Sequence, residues 1–199
     1  MNKTLNPGKL RGRIRAVSSK SHGHRLLICA ALADRPSEIF CPQTSADLDA
    51  TVRCLNALGA NIDYVNQTYY IQPLSQPRFA LLDCGESGST LRFLLPVVAA
   101  LGCGGEFLLR GRLPQRPLSP LQELLEEKGI ELTRPQKDRL LLRGKLRGGD
   151  FAIGGNISSQ FITGLLLALP LLKEDSAIRL TSPLESAPYV ELTLSVLRL

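Results

Sequence analysis

Tryptophan is absent from the 199 residues, and aromatic residues make up only 5% of them. Modules that hold single-stranded RNA stack bases on aromatic rings, so this shortage speaks against an RNA-binding αβ-repeat module. The basic run 139–147 does not restore that reading, because its cations alternate with leucine as on a solvated hairpin face. Paired cysteines are also missing. Cys29, Cys41, Cys54, Cys84 and Cys103 are odd in number and widely spaced, with no C-x-x-C. That excludes a zinc ribbon and a disulfide framework, and fits buried free thiols in a reducing cytoplasm. His22 and His24 form an H-x-H pair with no evident third ligand, so no metal is expected. Residues 1–13 hold no apolar stretch of the kind a signal peptide needs. The longest apolar stretch, 161–172, is interrupted by Thr163, Gly164 and Pro170 and is too short to cross a bilayer. It reads as a buried helix, and no membrane partner is expected.

What is present is ordinary for a globular protein: 44% hydrophobic residues and 21% charged. A chain of this size buries roughly 70% of its unfolded surface, enough for a real core. The net charge of +6 suits anionic partners without choosing among them.

The organising feature is a repeat. Three glycine/serine-rich turns, marked by Ser21, Ser89 and Ser158, recur at a period of 68 to 69 residues. Each is followed by an apolar helical run (24–33, 90–102, 160–172), a short strand (38–41, 106–109, 177–180) and a more amphipathic helix (46–58, 117–128, 188–199). Strands are expected to lead into the turns at 13–17, 79–83 and 151–153. Two further β-runs close the first two units, at 61–65 with 68–72 and at 130–134 with 139–143. Ser45 suits an N-cap, Pro117 a first helical position, and Gly59 and Gly129 helix stops. Each unit therefore reads β-turn-α-β-α-β-β. The third lacks its last two strands, so the chain is expected to be a piece of a longer protein.

All three turns feed the start of a helix, where unpaired N–H groups and a partial positive charge favour anions. The first, 18–25, offers Ser19, Lys20, Ser21 and Arg25. The second, 85–92, offers Gly85, Glu86, Ser87, Gly88, Ser89, Thr90 and Arg92. The third, 154–160, offers Ser158, Ser159 and Gln160. Side-by-side packing of the units would bring the three helix starts to one place. Arg116 is expected just before a helix start, where the dipole disfavours a cation, so an anionic ligand explains it better.

These motifs, in this order, resemble those of the 5-enolpyruvylshikimate-3-phosphate synthases: Ser19-Lys20-Ser21 with Arg25, the 85–90 turn with Arg92, Arg112 with Gln115-Arg116-Pro117, Ser158-Ser159-Gln160, and Pro188-Tyr189. The resemblance implies an α/β (α+β) fold of repeated βαβαββ units, the enolpyruvyl transferase fold. About two and a half of the three units of its first domain would be present. Residues 1–18 would lead in from the second domain, and 19–199 would be the first, shikimate-phosphate-binding domain, incomplete at its C-terminus. It implies transfer of the enolpyruvyl group of phosphoenolpyruvate to the 5-hydroxyl of shikimate 3-phosphate, with release of phosphate and no cofactor or metal. Lys20, Gly88 and Arg116 would contact phosphoenolpyruvate, with Lys20 also catalytic. Ser21, Arg25, Ser158, Ser159, Gln160 and Tyr189 would hold shikimate 3-phosphate, and Ser89 and Arg92 are further candidates. Glu86 departs from the family's usual asparagine, and a carboxylate beside an anion site must be paired, protonated or turned away. The second domain, the expected partner, supplies further ligands and the acid/base carboxylate, so the chain alone is expected to be inactive or nearly so. The sibling family, UDP-N-acetylglucosamine enolpyruvyl transferase, normally shows Lys-Asn at the first turn and a catalytic cysteine in a mobile loop. Lys20-Ser21 and the position of Cys103 fit it poorly.

Overall fold

Helices form the inside of the molecule and three separate sheets form its outside, because every strand set has only one apolar face to bury. The structure, a computed structural model, describes residues 3, 4, 6–9, 11–14 and 16–199. The first unit contains α1 (Lys20–Leu32), β1 (Ser37–Phe40), α2 (Ala46–Leu58), β2 (Asn61–Val65) and β3 (Thr68–Gln72). The second contains β4 (Leu81–Gly85), α3 (Gly88–Leu101), β5 (Gly105–Leu109), α4 (Leu121–Glu127), β6 (Ile130–Gln136) and β7 (Arg139–Gly144). The third contains β8 (Gly149–Ile153), α5 (Ser159–Ala168), β9 (Ser176–Leu180) and α6 (Ala187–Leu197).

The sheets run β1-β3-β2, β4-β5-β7-β6 and β8-β9. In the last two, the strands flanking the first helix of the unit pair in parallel, Leu81 opposite Glu106 and Gly149 opposite Ser176. The closing hairpins of the first two units add antiparallel strands. Alternation decides which face turns inward. In β5, Phe107 and Leu109 are buried; in β7, Leu140 and Leu142 are. Arg139 and Arg143 take the outer side of β7, as the leucine–cation alternation predicts.

Helix α3 is buried along nearly its whole length. It packs tightly on α5, because Gly164 presents bare backbone to it: a Cβ there would stand 2.3 Å from the Arg92 carbonyl oxygen. Helices α1 and α6 close the same core. The cysteines behave as small apolar residues: Cys41, Cys54 and Cys84 are buried, Cys29 and Cys103 half-buried, and all five are free. Burial pushes the Cys29 thiol up to about 11, the nearby Arg25 charge opposing only in part.

The second helix of the first unit and its closing strands fall where the pattern puts them; several other boundaries move. Helix α1 starts at Lys20 rather than residue 24, because Ser19 caps it by accepting from the His22 N–H. Pro170 ends α5 at Ala168 and leaves a single 3₁₀ turn, Leu169–Leu171. Helix α4 begins at Leu121, not at Pro117, since a residue before proline avoids the helical region and Pro120 follows Ser119. Arg116 therefore ends a 3₁₀ turn, Leu113–Gln115, five residues ahead of α4, and the helix-dipole argument does not apply to it. The strand expected at 13–17 is not formed among the described residues; Arg15 lies outside them. Ile14 and Val17 are 96% and 78% exposed, so neither has an apolar face to bury against here.

Candidate functional site

The three polar turns meet. Their helices start at Ser19, Ser87 and Ser158, each serine accepting a backbone N–H of its own first turn at 3.2–3.3 Å. A fourth helix start, that of α6, joins them. Together they enclose a cleft of about 440 Å³ lined by Lys20, Ser21 and Arg25 of α1, Ser89 and Phe93 of α3, Ile157, Ser158, Ser159 and Gln160 at the head of α5, and Ser186 and Tyr189 at the head of α6. Two cations and several hydroxyls face this space, and no carboxylate does among the described residues. Four helix N-termini add positive potential. Such an arrangement can hold an anion that carries hydroxyl groups.

Arg25 is the most constrained of these residues, 2% exposed. Its Nε donates to Thr193 Oγ1 at 2.7 Å. One terminal nitrogen donates to the Ser21 carbonyl at 2.6 Å, the other to Thr163 Oγ1 at 3.0 Å and the Tyr189 carbonyl at 3.1 Å. The guanidinium lies 5.0 Å from the centre of the Phe93 ring. Burial lowers its pKa, and Tyr189 and Cys29 offset part of this; an arginine stays charged all the same. The residue clamps α1 to α5 and α6 while it lines the cleft.

A second cationic centre lies across Gln160. The Gln160 Oε1 accepts from Arg92 at 2.8 Å, and its Nε2 donates to Ser89 Oγ at 2.9 Å. The other end of Arg92 donates to the Pro117 carbonyl at 3.1 Å. Arg116 approaches from the 3₁₀ turn, and a Cβ on Gly88 would stand 2.9 Å from a terminal nitrogen of both Arg92 and Arg116. Burial, then the Arg116 charge, pushes the Arg92 pKa down. Two like charges are held beside one bare helix start, neither ion-paired with an acid among the described residues, and such an arrangement can hold an anion.

Glu86 is turned away from this centre. Its carboxylate lies over Gly111, so close that a Cβ there would stand 2.2 Å from it. Arg112 is exposed and enters the 3₁₀ turn; no contact brings it to the cleft. Lys20 pairs with Asp47 of α2 at 2.5 Å.

Beneath the turns runs a buried chain of hydroxyls. His24 Nδ1 meets Thr51 Oγ1 at 2.8 Å, Thr51 meets Thr90 at 2.7 Å, and Thr90 donates to Ser87 Oγ at 2.7 Å. It joins α1, α2 and the cap of α3. Burial lowers the His24 pKa to about 4, with Asp47 opposing and Lys20 and Arg25 adding to the drop. The imidazole is neutral near pH 7.

Ser186 and Ile157 line the cleft although the repeat pattern does not single them out. Ser186 was findable: Pro188 marks a first helical turn, which puts Ser186 at the cap. Its hydroxyl makes no capping bond. Ile157 carries no signal of its own. Cys103 sits at the far end of α3 from Gly88, about 20 Å along a 14-residue helix. Burial raises its pKa, which does not suit a nucleophile.

Among the described residues no group of three His, Cys, Asp or Glu side chains is placed to hold a metal, and no helix is long and apolar enough to cross a membrane.

Comparison with known proteins adds three findings. A family model described as EPSP synthase (3-phosphoshikimate 1-carboxyvinyltransferase) matches residues 5–199. The chain is 42% identical over 197 residues to a 3-phosphoshikimate 1-carboxyvinyltransferase of Clostridium perfringens, covering 97% of this chain and 46% of the relative. It is 42% identical over 209 residues to one of Clostridium beijerinckii, covering 99% and 48%. The chain thus spans about half the length of these relatives. Its fold matches a solved EPSP synthase from Acinetobacter baumannii with a TM-score of 0.77 at 21% identity, over 94% of this chain and 43% of that one.

Proposed function

The chain belongs to the EPSP synthase family, and on that premise we propose that it carries half of a site that transfers the enolpyruvyl group of phosphoenolpyruvate to the 5-hydroxyl of shikimate 3-phosphate, releasing phosphate. The observation that carries the reading is the cleft itself: Lys20, Arg25 and a ring of serines around four helix starts, with no carboxylate facing in among the described residues. Shikimate 3-phosphate carries a phosphate, a carboxylate and two free hydroxyls, with close to three negative charges near neutral pH, and such a surface complements it. Ser21, Arg25, Ser158, Ser159, Gln160 and Tyr189 take this substrate, together with Ser186. Gly88, Arg116 and Lys20 take phosphoenolpyruvate. Arg92, through Gln160, links the two anion sites, and Ser89 anchors the same glutamine.

Two polyanions repel one another, so the first task of the site is to neutralise both while holding the 5-hydroxyl against the enol carbon. Lys20 lines the cleft, and in this reading it is the residue of this chain that meets charge developing on the reacting groups. The remaining acid/base group comes from a second domain, the partner in this reading, which closes over the open side of the cleft. Residues 1–18 then lead in from that domain and 19–199 form the shikimate-phosphate-binding one. The reaction is cytoplasmic in this reading and needs neither metal nor organic cofactor.

The test has two arms. A titration of the isotope-labelled chain with shikimate 3-phosphate shifts the amides of residues 20–25, 158–160 and 189. Phosphate release from the substrate pair is near zero with this chain alone and appears when the second-domain chain of a relative is added. Shifts elsewhere, or turnover by the chain alone, would contradict the reading.

A further inference from the structure

Each unit ties the turn before its first helix to the loop after its first-helix strand, and the tie in the third unit spans the two walls of the cleft. In the first unit the Gln43 N–H donates to Ser18 Oγ at 3.1 Å. In the second, Asp83 accepts from the Gly85 N–H at 3.0 Å and from Arg110 at 2.9 Å. In the third, the Asn156 N–H donates to Ser182 Oγ at 3.2 Å, and the Ser182 hydroxyl returns a bond to Asn156 Oδ1 at 2.7 Å. In each unit a bond thus joins the segment ahead of the first helix to the loop after the next strand, with Asp83 lying within β4 where Ser18 and Asn156 lie in the turn.

We propose that Asn156 and Ser182 are positioning residues of the substrate cleft, fixing the distance between the loop that carries Ser158 and the loop that carries Ser186. The proposal rests on the reading of that cleft as the shikimate 3-phosphate site. Neither residue lines the cleft. Both lie on the outer side, at loops whose backbones touch: a Cβ on Gly155 would stand 2.7 Å from the Ser182 carbonyl oxygen and 2.8 Å from that of Pro183. The Glu185 N–H also donates to the Gly155 carbonyl at 3.2 Å. Backbone contact sets how near the loops come, and the reciprocal side-chain pair keeps them from sliding apart. Small displacements of positioned donors weaken a site out of proportion to the stability lost. The pair is solvent-exposed, so its effect is on geometry more than on folding.

The experiment is a titration of the 199-residue chain and of Ser182→Ala, Asn156→Ala and Ser182→Thr with shikimate 3-phosphate, followed by amide shifts, with urea unfolding of each. Both alanine variants are expected to bind about three- to tenfold more weakly, the worth of one net hydrogen bond. Their urea midpoints stay at the parent value, and Ser182→Thr, which keeps the hydroxyl, binds like the parent. Parent-like binding by both alanine variants overturns the proposal. So does a weakening that follows a lowered midpoint and is not restored by threonine. A parent chain that shows no shifts at 158–160 sinks the reading of the cleft itself, a result distinct from a parent that binds and variants that bind equally well.

Discussion

Gln160 accepts a hydrogen bond from Arg92 at 2.8 Å across the interface of α5 and α3. This contact joins the third polar turn to the second and sets where the Arg92 charge lies. Arg92 already has a buried Nε without a partner, so removing the amide leaves the guanidinium poorly satisfied. Gln160→Ala is expected to cost about 2 kcal/mol of stability in urea unfolding. It should also weaken phosphoenolpyruvate and shikimate 3-phosphate binding together. Loss of one ligand only would show that the two anion sites are independent.

Gly88 and Gly164 both lack room for a methyl group, but for different reasons. At Gly88 the obstacles are the side-chain ends of Arg92 and Arg116. The Arg116 end can swing aside, but the Arg92 nitrogen in the way is the one that donates to Gln160, so Gly88→Ala should cost about 1 to 2 kcal/mol. It should weaken phosphoenolpyruvate binding about tenfold by displacing a guanidinium. Amide shifts and thermal unfolding separate the two effects.

At Gly164 the obstacle is backbone. The Arg92 carbonyl lies 2.3 Å from the would-be Cβ, with Pro96 Cγ at 2.8 Å. Neither can yield without parting α3 from α5. Gly164→Ala is expected to destabilise by about 3 kcal/mol, read as a lowered urea midpoint. A midpoint within error of the parent would show that the helices are less closely seated than described.

Arg25→Lys keeps the charge but not the fork. Lysine cannot serve Thr193, Thr163, Ser21 and Tyr189 at once. A loss of about 3 kcal/mol is expected, and shikimate 3-phosphate binding should fall with it. Retained binding in a folded Arg25→Lys protein would make the residue purely structural.

His24 gives the fold a pH dependence. Its folded pKa, about 4 through burial, lies below the ordinary 6.5. Between these values the unfolded chain binds the proton and the folded one does not, so stability rises with pH across that window. The contribution is complete above about pH 6.5 and falls away toward pH 4, a change of about 3 kcal/mol at most. His24→Gln should flatten the slope of stability against pH over 4 to 6.5, leaving the part due to carboxylates. An unchanged slope would place the titration elsewhere.

The sequence by itself determined the repeat, the order of elements and the chemistry of the turns. Those features are local: a serine that caps, a proline that stops, an alternation that turns one face inward. They are written in neighbouring residues, so α2, β2 and β3 carry the bounds the pattern gives. The start of α4 departs from the pattern because two prolines compete, and only Pro120 sets the boundary. Ser186 was within reach of capping rules, whereas Ile157 was not.

The tertiary structure alone decided which side chains meet. Arg25 and Arg92 hold similar places in their turns, yet Arg25 clamps α1 to α5 and α6 while lining the cleft, and Arg92 reaches Gln160, 68 residues away. Glu86, which its place in the second turn would set beside the anion ligands, has its carboxylate over Gly111 instead. The pairing of Asn156 with Ser182 crosses 26 residues, with a helix and a strand between them. Distances of this kind follow from how helices seat on one another, and above all from the bare backbone at Gly164 that lets α3 and α5 approach. Packing is a property of surfaces brought together, and no single segment contains it.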